Sequence, residues 1–308
     1  MYAPIIVFAY NRADRVEKLI DSLSKNPEAI ESQLYIFSDG AKTEAGAAKV
    51  EAVRQYIDTV SAMKLFADVH IVKAEKNKGL ANSIIDGVTY VMNEHGKAII
   101  IEDDNVVASD FLDYMNRGLE YYKDDPKIWA ISGFSREMTF PDDYNHDIYV
   151  MQRISSYTWA SWRDRWEKTE WNVPDYPRFL FDRKARRRFA ECGEDRPLML
   201  DAQMCGKISS WAIRFEYSMV KNDMYSILPC VSRAVCSGND GSGTHSTKAI
   251  DTFNTFLSDG SKLARFENLI QDERIREEFV KPYKRKIKRK LLGNADFIFM
   301  YFKNKRKN

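Results

Sequence analysis

No glycine-rich phosphate loop follows any apolar run of this 308-residue chain: neither GxGxxG nor GxxxxGK[ST] stands after a strand-like segment. The dinucleotide-dehydrogenase and P-loop classes thereby lose their main signature. Cysteine is scarce. Cys192, Cys205, Cys230 and Cys236 form no CxxC pair and suit neither zinc nor a small disulfide scaffold, so reduced thiols and a cytosolic setting are expected. Long apolar runs are missing too. The opening MYAPIIVFAYNR has no basic start and no stretch of signal-peptide length, and FIFMYF at 297–302 is far too short to cross a bilayer. Neither a secretory leader nor a membrane-crossing helix is expected.

What is present is apolar residues enough for a large core, 44% of the chain, and a lopsided charge. Residues 281–308 hold eleven Lys or Arg against Asp296, a net +10, which leaves residues 1–280 at −8. A basic tail interrupted by an apolar patch suits an anionic lipid surface, where each Lys or Arg adds roughly 1 kcal/mol. Nucleic acid is the lesser reading, since no nucleic-acid-binding motif accompanies the tail. A solvated tail that aids solubility is the third.

The first half alternates. APIIVFAY (3–10), QLYIFSDG (33–40), DVHIVKA (68–74), KAIIIEDD (97–104) and IWAISGFS (128–135) read as strands. Between them apolar residues recur at helical spacing: Val16, Leu19, Ile20 and Leu23, then Val50, Val53, Ile57 and Val60, then Leu80, Ile84, Ile85, Val88, Val91 and Met92. A fourth helix is expected from an N-cap at Ser109. Strand and helix in turn imply an α/β fold with a mostly parallel sheet and helices on both faces, which binds ligands at the carboxyl ends of its strands. Those ends are polar: YNR at 10–12, SDG at 38–40, EDD at 102–104. Beyond about residue 140 the alternation stops, and an amphipathic helix is expected over about 262–280. The second half reads as an elaboration packed on the first. The expected divisions are 1–135, a ligand-binding α/β half, 136–260, a second half of the same domain, and 261–308, a C-terminal helix with the basic tail.

Glu102, Asp103 and Asp104 directly follow the apolar run of the fourth strand. Crowded carboxylates raise one another's pKa unless something positive sits among them. A Mg²⁺ or Mn²⁺ ion would resolve that, sharing its shell with phosphate oxygens and stabilising a departing diphosphate. The alternative is a solvated acidic turn.

FAYNR (8–12), SDG (38–40), NKGLANS (77–83), IEDDNVVASDFL (101–112), TWASWRDRWEKTEW (158–171), GKISSWAIRF (206–215) and DGSGTH (240–245) stand in an order that resembles inverting glycosyltransferases of the GT-A fold. The likeness is to bacterial capsule and lipopolysaccharide enzymes and, more distantly, to Golgi N-acetylglucosaminyltransferases with a Glu-Asp-Asp motif. It implies a Rossmann-like nucleotide-sugar half and an acceptor-side elaboration. By position it puts Asp104 on a Mn²⁺ or Mg²⁺ ion, Asp103 on the ribose and Glu102 on the donor sugar. Asn11 and Arg12 fall beside the nucleobase or phosphates and Asp39 at the base, usually uracil, while Gly79 admits the backbone to the nucleotide. Ser242 and Gly243 lie in a glycine-rich loop able to turn N–H groups toward a phosphate, and His245 completes the metal shell or pairs with the diphosphate. The implied activity is transfer of a hexosyl or N-acetylhexosaminyl group, with inversion, from a UDP-sugar to a saccharide or lipid-linked glycan in surface polysaccharide synthesis. The implied location is the cytoplasm, in contact with the inner face of the membrane.

One departure is plain. Inverting transfer needs a carboxylate to deprotonate the acceptor hydroxyl, and where relatives carry Asp before a Trp this chain has Ser209 and Ser210. Asp201 is the expected substitute, with Asp164 and Glu170 as alternatives. Loss of the base would leave a non-catalytic nucleotide-sugar-binding protein. A sugar-nucleotide nucleotidyltransferase on a similar sheet would need a glycine-rich loop after the first strand, and YNRADRVEK lacks the glycines. Trp159, Trp162 and Trp166 share one face if the segment is helical. Trp162 and Trp166 are then expected in the core, and Trp159 or its neighbour Tyr157 either there or against a sugar ring.

Overall fold

A computed structural model describes residues 1–236, 255–284 and Tyr301. Its first half runs β1 (Ile5–Ala9), α1 (Ala13–Ser24), β2 (Gln33–Ser38), α2 (Ala47–Val60), β3 (Asp68–Lys73), α3 (Leu80–His95), β4 (Lys97–Glu102), β5 (Asn105–Val107), α4 (Phe111–Tyr121) and β6 (Ile128–Ser132). The second half follows with β7 (Ile148–Met151), β8 (Thr158–Trp162), the short helices α5 (Arg163–Trp166) and α6 (Tyr176–Phe179), and α7 (Arg183–Ala190), α8 (Arg196–Met204) and α9 (Trp211–Lys221). β9 (Tyr225–Pro229), β10 (Ala234–Cys236) and α10 (Glu273–Val280) complete it.

Eight strands form one sheet in the order β3-β2-β1-β4-β8-β6-β9-β7, while β5 and β10 pair separately. The α/β class expected from the alternation is the one observed. β1 is buried along its whole length, and its side chains sort by parity, as the two-residue period of a strand requires. Ile5, Val7 and Ala9 join the apolar layer of α1, α2 and α4. Ile6 and Phe8 join the opposite layer of α3 and α9. β4 divides likewise, Ile99 and Ile101 against Ala98 and Ile100.

Four expectations need correction. The segment with the tryptophans is not one helix. Thr158–Trp162 is a strand, inserted antiparallel between β4 and β6. Trp159 and Trp162 consequently point to opposite faces, into different apolar layers. Trp159 is fully buried and stacks on Trp211 at 4.9 Å and on Trp166 at 5.7 Å, so it belongs to the core and not to a sugar site. The fifth expected strand, read over 128–135, ends at Ser132, and it lies between β8 and β9. The fourth helix starts at Phe111, with Asp110 and not Ser109 at its N-cap. Over 262–280 the helix covers only Glu273–Val280.

Candidate active site

β1 pairs in parallel with both β2 and β4, and the strands end nearly level. Ala9 lies opposite Ser38, and Phe8 opposite Glu102. The polar residues following each strand are therefore delivered to one edge of the sheet. The chain winds outward from β1 through β2 to β3 and then returns to place β4 on the other side of β1. The crevice at that reversal is where open α/β sheets bind ligands.

Asp103 closes the crevice by accepting the Tyr10 backbone N–H at 3.1 Å. Arg12, the N-cap residue of α1, donates Nη2 to Asp104 Oδ2 at 2.9 Å and lies 3.6 Å from Asp103. Its Nη1 is buried with no hydrogen-bond partner among the described residues. Burial and the neighbouring Asp104 push the Asp103 carboxyl up to about 6, against the opposing pull of Arg12. Burial, then Asp104 and Asp103, push Glu102 up to about 8, although the Trp211 indole hydrogen-bonds its carboxyl. The cluster thus holds more negative charge than Arg12 offsets, and a further cation would be bound favourably.

Asn105 fixes the turn. Its side-chain amide donates to the carbonyls of Glu102 at 2.9 Å and of Tyr157 at 3.1 Å, tying the acidic turn to the segment that leads into β8. Sequence reasoning passed over Asn105, and the signal lay in an amide directly after three acids.

Asp39 is buried and occupied. One carboxylate oxygen accepts the backbone N–H of Gly40 and of Lys78, each at 2.8 Å, and the other accepts Gly79 N–H at 2.9 Å and the Asn77 amide at 3.0 Å. It pins the 77–79 turn against the end of β2. Glycine is required at Gly40, where a Cβ would come within 2.5 Å of the Lys76 backbone, and suits Gly79, whose φ is +76°. Asn11 sits half-buried between Tyr10 and Arg12. Ser242, Gly243 and His245 lie outside the described residues.

Asp201 is not at this edge's disposal. It is fully buried on α8, its carboxylate held by both Nη atoms of Arg186 at 2.9 and 2.7 Å and by the Tyr176 hydroxyl at 3.1 Å. An enclosed, bidentate ion pair serves packing and cannot meet an acceptor hydroxyl. Of its alternatives, Asp164 is engaged by Arg165 at 2.7 Å and Glu170 by Lys221. Ser210 caps α9 by accepting Ile213 N–H at 3.3 Å.

Beside the acidic turn a cavity of about 190 Å³ opens, lined among others by Phe134, Arg136, Ser155, Ser156, Tyr157 and Tyr283. It joins the turn in two places. The Tyr157 carbonyl accepts the Glu102 backbone N–H at 3.3 Å, and the lining residue Ala212 follows Trp211, which bonds Glu102.

Among the described residues no group of three His, Cys, Asp or Glu side chains converges as a closed metal site. The donor set nonetheless fits a Mg²⁺ or Mn²⁺ ion of the kind held by one or two carboxylates together with substrate phosphates. The oxygens are hard, and Asp104 is partly open, with its side chain 17% exposed.

The chain resembles known proteins over the part that builds this edge. The GNT-I family model matches residues 1–194. The alpha-1,3-mannosyl-glycoprotein 2-beta-N-acetylglucosaminyltransferase of Arabidopsis thaliana is 25% identical over 194 residues, covering 58% of this chain and 41% of that protein. The chain therefore spans less than half the length of that relative. Among solved structures, S. aureus TarS 1–349 superposes with a TM-score of 0.42 at 13% identity, over 78% of this chain and 62% of that one. The same protein in complex with UDP-GlcNAc gives 0.32 at 12% identity, over 50% and 40%. With the family match running from before β1 through the acidic turn and β8, the chain belongs to the GNT-I family.

Proposed function

We propose that the chain is a metal-dependent glycosyltransferase that moves a sugar, with inversion, from a UDP-sugar to a saccharide or lipid-linked glycan. The observation that carries the reading is the Arg12–Asp103–Asp104 cluster at the strand reversal between β1 and β4, in a chain of the GNT-I family. The Arabidopsis relative is named for N-acetylglucosaminyl transfer, which makes that sugar the first to test.

In this reading Asp104 holds a Mn²⁺ or Mg²⁺ ion, which when bound supplies positive charge to the leaving diphosphate. The orphaned Nη1 of Arg12 donates to a diphosphate oxygen, which satisfies a buried donor that otherwise costs free energy. Asp103 orients the ribose from a position fixed by the Tyr10 N–H. Glu102, at the junction with the cavity, hydrogen-bonds the transferred sugar, and the cavity receives the acceptor. The proposal places no base on α8, because Asp201 is consumed by Arg186.

Surface polysaccharide synthesis and a peripheral seat on the inner membrane belong to the same proposal. They are supported by the basic composition of residues 281–308, most of which lie outside the described residues. None of the described helices is long and apolar enough to cross a membrane. The deciding experiment is calorimetric titration of UDP, with GDP, CMP and dTDP beside it, with and without Mn²⁺. UDP binding that needs Mn²⁺ and is lost in Asp104→Asn supports the reading. Binding indifferent to metal and to Asp104→Asn would sink it.

A further inference from the structure

The cavity beside Glu102 has a charge that the donor reading does not use. Arg136 follows β6 and lines it, only 9% exposed. Two of its N–H groups are spent on backbone carbonyls, Nη1 on Glu137 at 3.0 Å and Nη2 on Glu278 at 2.6 Å. Its Nε has no partner, and no carboxylate among the described residues lies within ion-pair distance. A buried guanidinium without a counter-ion is expensive.

Its surroundings do not cancel the charge. Arg153, also lining the cavity, is fully engaged by Asp195 through two bonds of 2.9 and 2.8 Å. Glu216, which also lines the cavity, lies 3.7 Å from Arg196, a residue outside the lining, and accepts the Ile154 backbone N–H at 3.2 Å. Three guanidinium groups thus face two carboxylates, and Arg136, held by two backbone carbonyls and lying 5.7 Å from the Phe279 ring, is the one with no carboxylate. The remaining wall suits a sugar-bearing ligand. Ser155 and Ser156 contribute hydroxyls, and Tyr157, Phe279 and Tyr283 contribute aromatic surface.

We propose that this cavity is an anion-recognising acceptor subsite, in which Arg136 binds a phosphate ester or a carboxylate carried by the acceptor glycan. The proposal rests on the glycosyltransferase reading and deepens it by giving the acceptor's chemical class: a negatively charged saccharide in place of a neutral one. A guanidinium suits both anions because it stays charged and, with one N–H of each Nη spent on a carbonyl, still has Nε and the second N–H of each Nη to donate to oxygens. Arg136 is here a specificity residue. It stands at the cavity wall, joined to the donor edge through Tyr157 and Trp211.

The test uses the full chain saturated with UDP and Mn²⁺, so that the donor's own phosphate positions are filled. Methyl phosphate, glucuronate and neutral methyl glucoside are titrated separately and followed by NMR. Binding of at least one anion, with methyl glucoside weaker, is expected. Methyl phosphate alone would identify a phosphorylated acceptor, and glucuronate alone a uronic-acid acceptor. Arg136→Met should weaken anion binding about tenfold or more, equivalent to ~1.4 kcal/mol, and Arg136→Lys should recover part of it. UDP affinity should stay at the parent value in both. Anion binding unchanged in Arg136→Met, or a neutral sugar bound as well as the anions, overturns the subsite. So does UDP binding with no anion bound. Failure of UDP to bind at all strikes the donor reading instead, and the anion titration is then read on the nucleotide-free chain by the same criteria.

Discussion

At the scale of single residues, the proposed donor edge depends on side chains that do two jobs. Asp39 accepts four hydrogen bonds and so holds the 77–79 turn where a nucleotide would approach. Asp39→Asn keeps the size but turns an acceptor oxygen into a donor facing other donors. Hydrogen bonds to a charged group are worth about 1.5–3 kcal/mol, so urea unfolding should show a loss of about 2 kcal/mol. Unchanged stability would mean that the turn is held elsewhere. Arg12 offers a complementary test. Arg12→Lys keeps the charge but loses the planar fork that reaches Asp104 while leaving Nη1 for a phosphate. UDP affinity should fall about tenfold, ~1.4 kcal/mol, and parent-like affinity would remove Arg12 from the diphosphate.

At the scale of elements, β8 and α8 decide most. β8 contributes Trp159, which stacks on Trp166 of α5 and Trp211 of α9, and Trp211 in turn reaches Glu102. Packing of the second half is thereby coupled to the donor edge. Trp159→Ala should cost about 3–5 kcal/mol by opening a cavity in that stack, measurable as a lowered urea midpoint. Between α7 and α8 the Arg186–Asp201 pair is buried, and removing one partner strands the other. Arg186→Met and Asp201→Asn should each lose about 3–5 kcal/mol and bind UDP as the parent does. An Asp201→Asn protein of parental stability but without turnover would restore Asp201 to the role of base.

For the whole molecule the distribution of charge bears on where it works. The body is acidic and the tail basic. Tyr301, which stands between the two basic runs in the sequence, packs edge-on against Tyr176 of α6 at 5.0 Å. Replacing Arg285, Lys286, Lys288, Arg289 and Lys290 by Gln should abolish sedimentation with anionic vesicles while leaving UDP binding intact. Attachment of the parent chain should weaken steeply with salt, as screening over a Debye length of ~8–10 Å requires. Equal sedimentation with neutral vesicles would point to the apolar patch instead of the charges.

The sequence by itself determined the local and the periodic. Unbroken apolar runs in β1 and β4, helical spacing in α1 to α3 and a run of three acids after a strand each depend on neighbours along the chain, and so could be read there. They sufficed for the α/β class and for the strand ends at which to look. Tertiary structure alone decided what depends on partners distant in sequence. TWASW became a strand because β4 and β6 offered it two edges to pair with, which outweighed a helical spacing of tryptophans. Asp201 passed from candidate base to structural anion because Arg186, fifteen residues away, folds over it. Arg136 drew no notice in the sequence, since a lone arginine is unremarkable until burial takes away its water and no carboxylate arrives to replace it.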